Sequence, residues 1–263
     1  MIALPEGSRW TLLLSPPLEG VENMALDEAL MAHARTTGHG TVRVYSWASP
    51  TLSLGRNQRA IDAFPAVRAS ARGIAVVRRA TGGRALLHHR EITYSVTAPA
   101  PAHDSLTRSY RAINAVLLEA LRTLGVQAQV AHGASRLPPP GSAPCFEMPA
   151  AGELTVGGRK LVGSAQYREQ GAMLQHGSIL VDDDQPLVTE LAALPVPATS
   201  PAATLREALG RAPTPEEFAA ALFGAVRAAW GPEARQTDVA PVAAADLLAA
   251  RARYASDVWT WRR

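Results

Sequence analysis

Stretches with the two-residue rhythm of strands alternate with 3.6-residue helical periodicity through the first half of the chain, which restricts it to a sheet with helices packed on it and excludes a helix bundle or an all-β sandwich. Asn23 is placed to cap a helix from Met24 to about Arg35, with Asp27 and Glu28 early in it, where the helix dipole favours acids. Extended runs cover Thr41 to Trp47 and Thr51 to Leu54, divided by Ser49-Pro50, and further strands are predicted at Ile74 to Val77 and Glu91 to Val96. The spacing of Leu106, Tyr110, Ile113, Leu117, Leu121 and Leu124 predicts an amphipathic helix that Gly125 can close. After a proline-rich loop at 137–144, Gly157-Gly158 marks a hairpin between extended runs at Glu153 to Val156 and Arg159 to Ala165. Lys160 then shares a strand face with Val162 and Ser164. A further apolar strand covers residues 173–181.

Beyond Asp182-Asp183-Asp184, a run expected to be a solvated strand exit rather than a metal site, the composition turns to Ala, Pro and Leu. Thr214-Pro215-Glu216-Glu217 has the form of a capping box opening a helix to Trp230, and a last helix is expected at Pro241 to Arg253. The division predicted is a mixed domain over 1–185 and a short helical C-terminal appendage over 186–263, packed on it.

With 47% hydrophobic and 19% charged residues among 263, the chain can bury a substantial core. No run approaches the roughly 18 apolar residues of a membrane span, and Pro5 and Glu6 interrupt the first ten residues where a leader needs an apolar stretch, so no membrane association and a cytoplasmic location are expected. The single cysteine, Cys145, excludes an internal disulfide framework and any multi-cysteine metal site. Aromatic residues are 5% and are not interleaved with the arginines, so no nucleic-acid platform is expected. Of the 26 basic residues only Lys160 is a lysine. Where arginine has replaced every other lysine, the survivor is a candidate for a specific task.

Arg78-Arg79-Ala80-Thr81-Gly82-Gly83-Arg84 follows one strand and precedes another; its amide and guanidinium donors suit a phosphate, carboxylate or acyl carbonyl, and the competing reading is a tight turn with solvated arginines. The motif lacks both the P-loop ending and the spacing of a dinucleotide fingerprint. Cys145 is either a small buried hydrophobe or a nucleophile, and the second role needs a neighbouring cation such as Lys160 to stabilise thiolate. The adjacent His88 and His89 face opposite sides of a strand and make no paired metal site; they and Gln175-His176-Gly177 are expected in hydrogen-bonded roles.

The strings GRNQ (55–58), RRATGGRALLHHREITYSV (78–96), CFEMPAAGELTVGGRKLVGSAQYR (145–168) and LQHGSIL (174–180), in this order, resemble the lipoate-protein ligase and octanoyltransferase superfamily, whose catalytic fold is shared with biotin protein ligases. The Cys-Phe ahead of Glu-Leu, Gly-Arg-Lys and Gly-Ser-Ala-Gln is similar to the cysteine-dependent octanoyltransferases. The resemblance implies an α/β (α+β) catalytic domain with a mixed sheet flanked by helices. It also implies transfer of octanoyl from acyl carrier protein, through a thioester on Cys145, to a lysine of a lipoyl domain such as the glycine cleavage H protein. Cys145 and Lys160 would be catalytic. Arg79, Thr81, Gly82, Gly83, His88, Gly163, Ser164, Ala165, His176 and Gly177 would bind substrate. The acidic carrier protein suits an arginine-rich surface. Arg84 stands where ligases carry a third glycine and His89 where an aspartate is common, which argues against wrapping an adenylate. No metal and no cofactor are expected; ATP and magnesium would enter only if the chain were an ATP-dependent lipoate-protein ligase. An amidotransferase moving octanoyl or lipoyl groups between lipoyl domains through the same cysteine stays open at this point, as does a non-catalytic binder.

Overall fold

The computed structural model describes residues 9–60, 63–101, 105–131, 152–193 and 201–262. Cys145 lies outside them. In chain order the elements are β1 (Trp10–Leu14), α1 (Gly20–Thr37), β2 (Gly40–Tyr45), β3 (Thr51–Leu54), α2 (Ala66–Ser70), β4 (Ala75–Arg78), β5 (Leu86–His88), β6 (Glu91–Pro99) and α3 (Leu106–Thr123). These are followed by β7 (Gln129–Val130), β8 (Leu154–Val156), β9 (Arg159–Glu169), β10 (Ala172–Leu180), α4 (Pro186–Leu191), α5 (Leu205–Leu209), α6 (Pro215–Trp230), β11 (Arg235–Thr237), α7 (Ala244–Tyr254) and α8 (Asp257–Thr260).

Eight strands form a mixed sheet in the order β11-β1-β2-β6-β10-β9-β8-β7, and β4-β3-β5 form a small second sheet. The pleat of β2 sets the layering. Val42 and Val44 belong to the core shared with Ile113 and Leu117 of α3 and with Phe218 and Phe223 of α6. Arg43 and Tyr45 alternate with them and bond instead to Asp27 of α1. The sheet is therefore covered on both faces, which explains why every residue of β2 and of β10 is buried. The predicted capping box is present, with the Thr214 and Glu217 side chains each taking a backbone N–H of the other. Gly157 and Gly158 turn the β8–β9 hairpin at φ +57° and +77°, values that glycine adopts without strain.

Two local expectations are corrected. Asn23 is not a cap: α1 begins at Gly20, and the Asn23 amide donates to the carbonyls of Leu18 and Ser46 while its oxygen accepts from Arg43. A buried arginine and the end of a neighbouring strand claim the side chain that a free helix end would have used. The Asp182–Asp184 run is not a solvated exit. Asp182 binds Arg206, Asp183 accepts from the Ala202 amide and Asp184 pairs with Arg90, tying the end of β10 to residues 202–206.

Residues after 185 contribute to the same cores. Besides α6, β11 adds to the sheet edge parallel to β1, and Trp259 donates to the Arg78 carbonyl. Among the described residues no helix is long and apolar enough to cross a membrane, and no group of three or more acidic or imidazole side chains could hold a metal ion.

Candidate active site

Asp27, on the sheet-facing side of α1, is 1% exposed. Its carboxylate accepts from Arg43 at 2.9 Å, from Ser95 at 2.8 Å, from the Tyr45 hydroxyl at 3.0 Å and from Nδ1 of His176 at 3.2 Å. An ionised carboxylate only accepts, so Nδ1 of His176 carries a hydrogen toward Asp27, and Nε2 is hydrogen-bonded with the Thr81 hydroxyl at 2.7 Å. Burial pushes the Asp27 pKa up, but the hydrogen bond from His176 and the Arg43 charge bring it below its ordinary value of 3.8. Burial, followed by the Asp27 charge, pushes Tyr45 well above its usual range and keeps its phenol a donor.

A second cluster lies alongside. His88 is stacked on Trp47 with ring centroids 3.9 Å apart, and it bonds Glu91 through Nδ1 at 2.9 Å and Ser53 through Nε2 at 2.8 Å. Burial holds its pKa below the ordinary histidine value, against the pull of Glu91. His88 is thus a buried imidazole, while His89, its neighbour in sequence, is exposed.

The arginine loop is not a solvated turn. Arg78 is 0% exposed and donates to the carbonyls of Gly55, Gln58 and Thr260. Arg79 donates to Ser53, Gly82 and Arg84 carbonyls, so its guanidinium fastens the Gly82-Gly83 turn from behind. The Arg56 amide donates to the Thr81 carbonyl. This interlock accounts for Gly55: a Cβ there would stand 2.0 Å from the Gly83 carbonyl oxygen. Gly55→Ala should therefore displace the loop at a cost on the order of 1–3 kcal/mol, measured as a lowered unfolding midpoint together with reduced activity. An unchanged midpoint would mean the interlock is dispensable.

Gly163, Ser164 and Ala165 on β9 pair in register with Ser178, Gly177 and His176 on β10, so the two strand motifs form one surface. At Gly177 a Cβ would meet Ser164 Oγ at 2.6 Å and the Tyr94 ring at 2.7 Å. The Tyr94 hydroxyl bonds Ser164 at 2.7 Å and accepts from Gln175 at 2.9 Å; burial pushes its pKa to about 12, so it stays protonated. On the face of the sheet that α1 covers, a cavity of about 190 Å³ is lined by residues that include Met31, Arg56, Ala80, Tyr167 and Leu174.

Lys160 stands apart from the histidines, four residues along β9 from Ser164, roughly 13 Å at the rise of a strand. It is no surface charge. Its side chain is 2% exposed and Nζ donates to Glu153 Oε1 at 2.6 Å. The structure thus gathers Thr81, His88 and His176 around two polar clusters, sets Gly177 and Ser164 against the Tyr94 network, and places Lys160 on the neighbouring hairpin.

The sequence reading missed Asp27, Arg43, Trp47, Glu91 and Glu153 as site residues. One signal was available: Arg43 stands between Val42 and Val44 in a short extended run, and an arginine in a strand buried on both faces needs an acid partner.

The lipoyl protein ligase A/B catalytic domain family matches residues 19–227. An octanoyltransferase LipM from Symbiobacterium thermophilum is 38% identical over 275 residues, covering 97% of this chain and 99% of its own. Another LipM, from Kyrpidia tusciae, is 48% identical over 183 residues, or 66% of this chain and 67% of its own. Among solved structures, lipoate-protein ligase A bound with ATP superposes with a TM-score of 0.74 over 97% of this chain and 98% of its own, at 20% identity. A lipoate protein ligase of T. acidophilum with bound lipoic acid gives 0.72 over 97% and 99%, also at 20% identity. The two ligases establish the shared fold, and the sequence relatives narrow the activity: the chain belongs to the lipoyl protein ligase A/B catalytic domain family, among its LipM-type octanoyltransferases.

Proposed function

We propose that the protein moves an octanoyl group from the thioester of an acyl carrier protein, through Cys145, to a lysine amine of a lipoyl domain. The observation that carries this reading is the chain-long relation to octanoyltransferases, 97% of this chain against 99% of the relative. Cys145 thiolate attacks the donor carbonyl, the tetrahedral oxyanion collapses with loss of the carrier's thiolate, and the acceptor amine then takes the acyl group from Cys145 to form an amide. Lys160 serves as counter-charge to the thiolate and donor to the oxyanion, and its burial favours this, because an ammonium kept from bulk water acts through a lower local dielectric. In the same reading Arg79 holds the Thr81-Gly82-Gly83 turn, and His88, His176, Gly177 and Gly163-Ser164-Ala165 line the acyl slot.

Neither ATP nor magnesium enters the reaction, because the donor thioester is already activated. The turn itself supports this. Gln170 is the only non-glycine residue at positive φ among the described residues, so Arg84 occupies backbone territory where the conformational freedom of a third glycine is not used. The acceptor class agrees with a solved archaeal relative, described as a bi-partite lipoate protein ligase and its E2 lipoyl domain.

The test is incubation with octanoyl carrier protein and lipoyl domain after enzymatic removal of nucleotide, with octanoylated domain as the expected product. Lys160→Met, which keeps most of the side-chain volume, should lower turnover on the order of 10²–10³-fold, as for loss of one oxyanion donor. Near-normal turnover in the folded variant removes Lys160 from the mechanism. Strict dependence on ATP with free octanoate or lipoate would make the protein a ligase, and transfer only from an already acylated lipoyl domain would make it an amidotransferase.

A further inference from the structure

Residues 79–85, between the end of β4 and the start of β5, lie outside the strands, so the turn that carries Thr81 is placed by cross-links rather than by a ladder. Several of those cross-links come from the end of the chain. Trp259 Nε1 donates to the Arg78 carbonyl at 2.8 Å, the Thr260 carbonyl accepts from Arg78 Nε at 2.9 Å, and Arg262 donates to the Arg56 carbonyl at 2.8 Å. The Trp259 ring carries the Arg262 guanidinium 3.9 Å from its centroid and those of Arg253 and Arg56 at 5.4 and 5.9 Å, with Tyr254 edge-on at 5.8 Å. Both flanks of this segment are fixed. The buried Tyr254 donates to Glu28 of α1 at 2.8 Å, and Trp261 packs against the core cluster that contains Leu52 and Leu54.

The contacts run on to the site. Arg78 also donates to the Gly55 and Gln58 carbonyls at 2.6 and 2.8 Å, the Arg56 amide donates to the Thr81 carbonyl at 2.8 Å, and the Thr81 hydroxyl is hydrogen-bonded with His176 at 2.7 Å. We propose that Trp259 is a positioning residue for octanoyl transfer: with Thr260 and Arg262 it clasps the 55–58 turn and Arg78, and so sets the Thr81-Gly82-Gly83 turn against His176. The proposal rests on the reading above that this turn lines the acyl slot. Tryptophan suits the place because a single side chain supplies both an N–H donor and an aromatic face for guanidinium groups. Such a clasp bears on rate as well as on stability, since a displacement on the order of 1 Å in a positioning element costs about 10²-fold.

The test separates placement of the turn from stability of the whole. Amide hydrogen exchange is followed at Arg56, whose N–H reaches Thr81, and in the β2–β6 ladder of the main sheet. Trp259→Phe keeps an aromatic face and loses the donor; it should speed exchange at Arg56 on the order of 10-fold, leave the ladder unchanged, and lower octanoyl transfer by a similar factor. Trp259→Ala should deepen both effects, toward about 10²-fold in transfer. Val258→Ser, at the neighbouring residue that is 83% exposed, should change neither. The proposal is overturned if Arg56 keeps its wild-type exchange in both Trp259 variants, if the main sheet accelerates as much as Arg56, or if Arg56 accelerates while transfer stays normal. Should the alanine variant not fold, the phenylalanine variant decides alone. If wild type transfers nothing from octanoyl carrier protein, the octanoyl reading fails, while the exchange rates still decide whether Trp259 holds the turn.

Discussion

Cys145→Ala is expected to eliminate the octanoyl-enzyme and to lower transfer on the order of 10³-fold or more, the scale seen when a covalent nucleophile is removed. Thiolate attack on a thioester exchanges one C–S bond for another, so donor and acyl-enzyme lie close in energy and the intermediate should accumulate when acceptor is withheld. Intact-mass spectrometry should show one added octanoyl group on wild type, located on the Cys145 peptide and discharged by lipoyl domain. The alanine variant should acquire none. Transfer by that variant at the wild-type rate would mean direct aminolysis of the carrier thioester in a ternary complex, with Cys145 a bystander.

Asp27→Ala should be the most damaging change to the fold, at about 3–5 kcal/mol, the cost of stripping one partner from a buried ion pair. Arg43 is 0% exposed and would keep its charge while losing its carboxylate. His176 and Ser95 would lose the same acceptor. A fall in the thermal midpoint on the order of 10 °C is expected for a chain of this size. Replacing Arg43 and Asp27 together by apolar residues of similar volume should cost less than Asp27→Ala alone; equal or greater cost would show that the charge pair is not what the single change disrupts. The acid limb supplies a second readout. A carboxyl held below its ordinary 3.8 in the folded state contributes stability that is present above that value and lost as pH falls through the lower folded one. Asp27→Asn should therefore flatten the loss of stability below about pH 4. Part of that loss will remain, because Asp182 and Asp184 are also held low, each by a hydrogen bond from an arginine acting against burial.

Much of this architecture was legible because local signals agree with the fold. The 3.6-residue stripe from Leu106 to Leu124 is α3, the Gly157-Gly158 pair is a hairpin turn, and the Thr214–Glu217 box caps α6. β1 was not legible: Trp10–Leu14 is five residues long, and nothing in its pattern announces parallel neighbours on both sides. Asn23 and Asp27 were misjudged for one reason. Their types fit a helix start locally, whereas a partner sixteen to twenty residues away, Arg43, determines where their side chains go. Resemblance and the one-lysine composition pointed to Lys160, but its acid partner could not be read from a seven-residue separation until the register of β8 against β9 was known.

Arg78 also sets an order of events for a growing polypeptide. Two of its hydrogen bonds, from its Nε to the Thr260 carbonyl and to its own carbonyl from Trp259, reach 182 and 181 residues ahead in the sequence. During synthesis the loop that begins at Arg78 emerges long before those partners exist. The hydrogen bond from its buried guanidinium to Thr260 can form only when nearly all of the described chain has left the ribosome. β1, synthesised first, waits almost as long for β11 and meanwhile presents an open row of backbone donors and acceptors. A nascent chain of this protein therefore leaves the Arg78 loop and β1 unfinished until residues 235–260 have emerged, and α6 and α7, which complete the two helical layers, also come late in the chain.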